Sequence, residues 1–362
     1  MIRSILAAFL LAAATPALAG QATPVRASGP VGESGVLDGV PYRIDIPANW
    51  NGGLVVFFHG YRLAGEATAL PYAAMGGTEQ FTGRGYAVVQ SAYSRQGWAV
   101  AEARAETRAL RASFEQRFGR PHRVFAAGYS MGGHLALATV EQEHERYDGA
   151  LSLCGANVPS TELIDRAIDN LAAADALFPG IIPNLSAPES PPMFDGQALA
   201  RAMTADPAAT AILADRTGFR ARDLPGTMWF YYAIVRELRV RAGGFPGTNG
   251  RPGDRAAFGS NRTANARYRR YGHDRAARAY LAANATLTGR LRDPVVILDN
   301  GYDDLLSVQI RPVYAADVRR AGGQQLLTVL PPAGEGHCQF QPDQIGTAFD
   351  RLIAEVDRRR TP

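Results

Sequence analysis

Between an apolar run, Val124-Phe125-Ala126-Ala127, and a helix-compatible stretch, His134 to Val140, stands Gly128-Tyr129-Ser130-Met131-Gly132. A Gly-x-Ser-x-Gly sequence between a strand and a helix predicts a sharp corner that holds the serine in a strained conformation with its hydroxyl exposed. Both glycines are required by the tightness of that turn, because a side chain at either would collide with neighbouring backbone. The corner also sets the N–H of Met131 at a helix N-terminus, where developing negative charge is received. Ser130 is therefore the candidate nucleophile.

The 362 residues are ample for one large domain or a domain with a sizeable insertion. Pro41 to Pro47 alternates in period two and reads as an antiparallel or edge strand, after a loose lead-in over Gln21 to Leu37. Leu54 to Phe58 and Tyr86 to Gln90 are continuous apolar runs, as expected of strands buried on both faces. Trp98 to Arg117 has helical composition and ends at Gly119; a further strand runs from Gly149 to Cys154. The alternation then stops until Pro294 to Leu298 and Gln325 to Leu330 resume the sheet pattern, and Ile345 to Arg359 closes as an amphipathic helix. Buried parallel strands alternating with helices predict an α/β sheet covered on both faces. In such sheets chemistry gathers beyond the carboxyl ends of the strands.

A serine hydroxyl is a poor nucleophile near neutral pH without a base, and the base needs an orienting acid. The chain has six histidines. Only His337, in Gly334-Glu335-Gly336-His337-Cys338, combines a loop after a strand with a position downstream of a suitable acid. Acids follow the strand Val295 to Leu298 at Asp299, Asp303 and Asp304.

Here the sequence resembles the α/β-hydrolase superfamily, whose acid loop often reads Gly-x-x-Asp. Gly301 then selects Asp304, with Asp303 next. The resemblance covers most of the mature chain: strand pattern, corner, acid loop, histidine loop and the order Ser, Asp, His. An early strand of that family often ends in His-Gly, matched by His59-Gly60. The resemblance thus implies an oxyanion hole made by the N–H groups of Tyr61 and Met131, and a structural part for His59. It implies an α/β-hydrolase core over residues 20–155 and 291–362, with residues 156–290 as a helical lid larger than many in the superfamily. The expected reaction is cleavage of carboxylic esters through an acyl-enzyme. Amide, peptide or polymer-chain hydrolysis would use the same triad, and a binding protein that kept only the fold is a third reading. No metal or cofactor is called for.

Met1-Ile2-Arg3, the apolar stretch Ile5 to Leu11 and Ala17-Leu18-Ala19 form a signal-peptide pattern over residues 1–19. A periplasmic or secreted protein without a membrane anchor is expected. Export permits a disulfide between the only two cysteines, Cys154 and Cys338, which both map to the carboxyl edge of the sheet. All 38 basic residues are arginine, and the net charge of +4 gives no reason to expect nucleic-acid binding. Between Arg251 and Asp293 ten arginines face three aspartates. That stretch is either a solvated face or an attraction for anionic substrates. The aromatic run Trp229 to Tyr232, with Trp98, suits either a substrate pocket or ordinary core.

Overall fold

The computed structural model describes residues 30–66, 77–143, 146–250, 258–284 and 286–360. The expected signal segment lies outside them. The chain opens with β1 (Val31–Leu37), β2 (Val40–Ile46) and β3 (Gly53–Phe58). Then come α1 (Thr78–Thr82), β4 (Ala87–Ser91), α2 (Val100–Phe118), β5 (Arg123–Tyr129), α3 (Met131–Gln142) and β6 (Gly149–Leu153). Helices α4 (Ser160–Leu177), α5 (Gly196–Ala205), α6 (Pro207–Thr217), α7 (Leu224–Arg241), α8 (Arg262–Arg267) and α9 (Arg275–Ala283) follow. The sheet resumes with β7 (Val295–Leu298), α10 (Arg311–Arg320), β8 (Leu327–Val329) and α11 (Pro342–Arg360).

The strands form one eight-stranded sheet in the order β1-β2-β4-β3-β5-β6-β7-β8. β2 runs antiparallel to β1 and β4, and every other pairing is parallel. Residues alternate between two cores along each central strand. Leu54, Val56 and Phe58 face a core shared with α2, α3 and the long helical segment. Val55 and Phe57 face a second core with Phe81 of α1 and Ile345, Phe349 and Leu352 of α11. Burial of both faces is why these strands carry no polar alternation.

The lead-in reading of residues 21–37 is corrected over its last seven residues, which form β1. β1 pairs with β2 from Leu37↔Val40 outward, across a turn in which Asp38 and Gly39 both have positive φ (51° and 82°). At the other edge, β8 is shorter than expected: Gln324–Leu326 forms a 3-10 turn, and Leu327–Val329 pairs only with β7. β6 and β7 are neighbours in the sheet, Ala150 opposite Val295, although α4 to α9 stand between them in sequence. The aromatic run of α7 contributes Tyr231 and Tyr232 to the core, beside Met228, with Trp229 and Phe230 packed partly buried against it. Arg278 of α9 makes a two-pronged ion pair with Asp165 of α4 (2.7 and 2.8 Å), fixing the two helices together.

Candidate active site

Ser130 joins β5 to α3 with φ 55° and ψ −119°, a left-handed conformation costly for a residue with a side chain. A methyl at Gly128 would fall 2.5 Å from both Gly132 C and Phe58 O, and one at Gly132 would overlap Phe58 O. The corner glycines are thus required by the close approach of β3 to the start of α3. The Ser130 N–H donates to Leu153 O at the end of β6 (3.0 Å). Its carbonyl accepts from His134 N (3.1 Å) and Ala156 N (3.2 Å). These bonds hold the serine half-buried at the carboxyl edge of the sheet.

The acid and histidine loops meet along a short parallel bridge, Tyr302 opposite Glu335. Gly301 N–H donates to Gly334 O (2.8 Å) and Gly336 N–H to Tyr302 O (3.0 Å). On that frame the structure differs from the residue selected by the Gly-x-x-Asp pattern. Asp303, not Asp304, meets the imidazole: its carboxylate oxygens lie 2.8 and 3.0 Å from His337 Nδ1. Asp304 Oδ1 instead accepts the backbone N–H of His337 (2.7 Å). The reason is local. Asp303 Oδ1 also accepts the N–H groups of Leu305 and Leu306 (2.8 Å each), a turn that aims its carboxylate inward. Asp303 is buried, and its side chain is 5% exposed against 17% for that of His337. A carboxylate only accepts, so Nδ1 is the donor in this contact, and in the neutral ring that tautomer leaves the lone pair on Nε2. Among the described residues no hydrogen bond joins Ser130 Oγ to His337; such bonds often form only with substrate in place.

Asn300, a residue for which the sequence suggested no role, braces the histidine loop. Its Nδ2 donates to Ala333 O (3.0 Å) and Gln339 O (3.3 Å), and its Oδ1 accepts from Cys338 N (2.9 Å). Cys338 is bonded to Cys154, with alpha carbons 5.3 Å apart. Since Ser130 is held by Leu153 and Ala156 on either side of Cys154, the bridge ties the serine corner to the residue after His337. Asp299, at the start of the acid loop, is partly buried, and among the described residues no side-chain hydrogen bond reaches its carboxyl. Burial pushes its carboxyl up to about 6, the nearby Arg311 pulls it down, and Asp303 adds to the rise.

β3 leaves the sheet beside the serine: a methyl on Gly60 would lie 3.4 Å from Ser130 Cβ. Tyr61 follows Gly60 in the chain, and Met131 begins α3. The Tyr61 ring packs edge-on against partly buried Phe230 of α7, centroids 5.4 Å apart. His59 is buried and stacked on Tyr93 at 3.8 Å, with Nδ1 2.7 Å from Gly60 O. Burial lowers it to about 4, so it stays neutral. His134 is fully buried, its Nδ1 2.9 Å from Ala156 O. Trp98 is 2% exposed and belongs to the core. Of the arginine-rich stretch, Arg251 and Arg255 lie outside the described residues; Arg262, Arg267, Arg269 and Arg275 are exposed.

No family model matches the chain. An o-phthalyl amidase from Xanthobacter agilis is 30% identical over 119 residues, which span 32% of this chain and 25% of that amidase. Among solved structures, a cell wall degrading esterase, LipA from Xanthomonas oryzae, aligns over 88% of this chain and 86% of its own, with TM-score 0.49 and 15% identity. The Pyrococcus furiosus esterase Pf2001 aligns over 92% of this chain and 97% of its own, with TM-score 0.45 and 12% identity. Est1E from Butyrivibrio proteoclasticus covers 89% and 99%, with TM-score 0.43 and 12% identity. The strand order with its single reversed strand, the serine corner after β5, and the acid and histidine loops after β7 and β8 are those of the α/β-hydrolase fold, and this chain has that fold.

Proposed function

We propose that the chain is an exported serine hydrolase that cleaves carboxylic esters through an acyl-enzyme. One observation carries the reading: a buried carboxylate, Asp303, fixes the His337 ring through Nδ1, while Ser130 is displayed at a strained corner of the same sheet edge. Ser130 Oγ attacks the ester carbonyl as His337 Nε2 takes its proton. Asp303 then stabilises the imidazolium, worth more in this buried setting than in water. Negative charge on the carbonyl oxygen falls to the N–H groups of Tyr61 and Met131; losing one such donor typically costs about 3 kcal/mol of barrier. The imidazolium gives its proton to the departing alcohol. Water repeats the sequence on the acyl-serine, returning Ser130 and releasing the acid.

Residues 156–290 act in this reading as a cap that limits which acyl and leaving groups enter. The amidase match favours a second reading, in which the scissile bond is an amide. The o-phthalyl group in that relative's name bears a carboxylate, which suits the exposed arginines of α8 and α9 as an attraction for anionic substrates. Export rests on the signal pattern of residues 1–19 and agrees with the Cys154–Cys338 bridge. Fluorophosphonate labelling followed by peptide mapping, beside a panel of chromogenic esters and anilides, tests the reading. Label on Ser130 with turnover of esters over matched anilides is expected. An unlabelled Ser130 in folded protein overturns the serine mechanism, and faster anilide cleavage replaces ester with amide.

A further inference from the structure

Arg220 lies in the connection between α6 and α7, outside every element that carries the serine, acid or base. Its guanidinium carbon nevertheless lies over the ring of Tyr302, 3.8 Å from the centroid. It also pairs in two-pronged fashion with Glu335 at 3.0 and 3.1 Å. The backbone N–H of Arg220 donates to Tyr302 Oη (3.0 Å), and that hydroxyl donates to Asp223 (2.7 Å). Tyr302 immediately precedes Asp303, and Glu335 stands two residues before His337. Tyr302 and Glu335 are also the partners of the bridge that joins the two loops.

We propose that Arg220 is a positioning residue for His337, clamping the histidine loop onto the acid loop from the helical segment. The inference rests on the serine-hydrolase reading of the same site. The rest of the α6–α7 corner supports it. Thr227 donates to Asp304 O (2.6 Å), Tyr231 one turn later donates to Leu305 O (2.7 Å), and Ser307 donates to Thr217 O (2.7 Å). Those bonds fix the acid loop to α6 and α7 whether or not Arg220 is present. What Arg220 adds, among the described residues, is the hydrogen-bonded link from this platform to the histidine loop, with Arg222 adding only a longer-range attraction to Glu335. The α6–α7 corner is therefore a fixed clamp on the acid and histidine loops. The Arg220–Glu335 pair is exposed, so it adds little to global stability. Its effect falls on geometry, where displacement of a base by about 1 Å costs up to roughly a hundredfold in rate.

The test uses the mature chain and its Arg220→Ala, Glu335→Gln, double and Arg220→Lys variants on a neutral nitrophenyl ester, with active sites titrated by a fluorophosphonate. Each single variant is expected to lose roughly tenfold in kcat with KM and melting temperature held, the double to lose no more, and Arg220→Lys to recover part. Unchanged kcat, additive losses or losses that track melting temperature overturn the clamp. If the wild-type chain turns over no ester, the functional reading fails by itself. The clamp is then decided by proton NMR: the Nδ1 proton of His337 must exchange with solvent several-fold faster in Arg220→Ala, and equal exchange overturns it.

Discussion

Asp303 meets Nδ1 of His337 with both carboxylate oxygens, at 3.0 and 2.8 Å, while its neighbour Asp304 holds the backbone N–H of the same histidine at 2.7 Å. The two aspartates thus divide the work: one fixes the ring and its tautomer, the other fixes the loop. Asp303→Asn removes the charge that stabilises an imidazolium and permits the wrong tautomer, so kcat should fall by about four orders of magnitude. Asp304→Asn keeps an acceptor oxygen for the backbone N–H and should cost about tenfold or less. Steady-state kinetics on the purified variants decide the order, and a more damaging Asp304→Asn would reverse the assignment.

The left-handed conformation of Ser130 makes a prediction about stability as well as rate. Ser130→Ala and Ser130→Gly should both abolish labelling and nearly all turnover. At φ 55° glycine carries no steric penalty, whereas alanine keeps it. The glycine variant should therefore be at least as stable as the alanine variant, despite the greater freedom of its unfolded chain. Urea unfolding of the pair checks this; a glycine variant weaker by more than about 1 kcal/mol would mean that the corner is not strained.

Local chemistry was legible in the sequence where it is dictated by near neighbours. The glycines around Ser130 answer a clash with Phe58 and with each other, and the apolar run Leu54 to Phe58 follows from burial on both faces. The choice between Asp303 and Asp304 was not legible in the same way. Both follow the same strand, and what selects one is the capture of its carboxylate by Leu305 and Leu306 N–H groups. β1 escaped because glycine and serine dilute its alternation, although Asp38-Gly39 was a usable hairpin signal. Asn300 and Arg220 could not be found from spacing, since Arg220 meets Glu335 across 115 residues.

Asp299 supplies a pH dependence with a definite sign. Its carboxyl is raised from 3.8 to about 6, chiefly by burial, so the folded state binds this proton more tightly than the unfolded chain does. Below the unfolded pKa both states are protonated and the group costs nothing. Between about 4 and 6 the unfolded chain ionises first, and stability is progressively lost, reaching about 3 kcal/mol above that window. Asp299→Asn should therefore stabilise the protein at pH 8 and have much less effect at pH 4. Denaturant midpoints for both proteins at the two pH values measure it, and a pH-independent difference would rule out the buried-carboxylate account.

The Cys154–Cys338 bridge joins residues 184 apart and closes the helical segment α4–α9 together with β7, α10 and β8 into one loop. On the chain-entropy model such a closure stabilises by about 5 kcal/mol, acting on the unfolded chain. Its local consequence is separate. Cys154 lies between Leu153 and Ala156, both bonded to the Ser130 backbone, and Cys338 directly follows His337. Asn300 and the Tyr302–Glu335 bridge hold the histidine loop to the acid loop without the disulfide. They do not hold it to the serine corner. The Cys154→Ala/Cys338→Ala variant should consequently keep the Asp303–His337 contact while losing definition between base and nucleophile. A lower melting temperature and a lower kcat are expected, with the kcat deficit persisting well below the transition where the protein is fully folded. Mass spectrometry of a non-reduced digest must first show the bridge in the wild type. A variant that melts earlier but turns over normally at low temperature would confine the disulfide to stability and remove it from the active site.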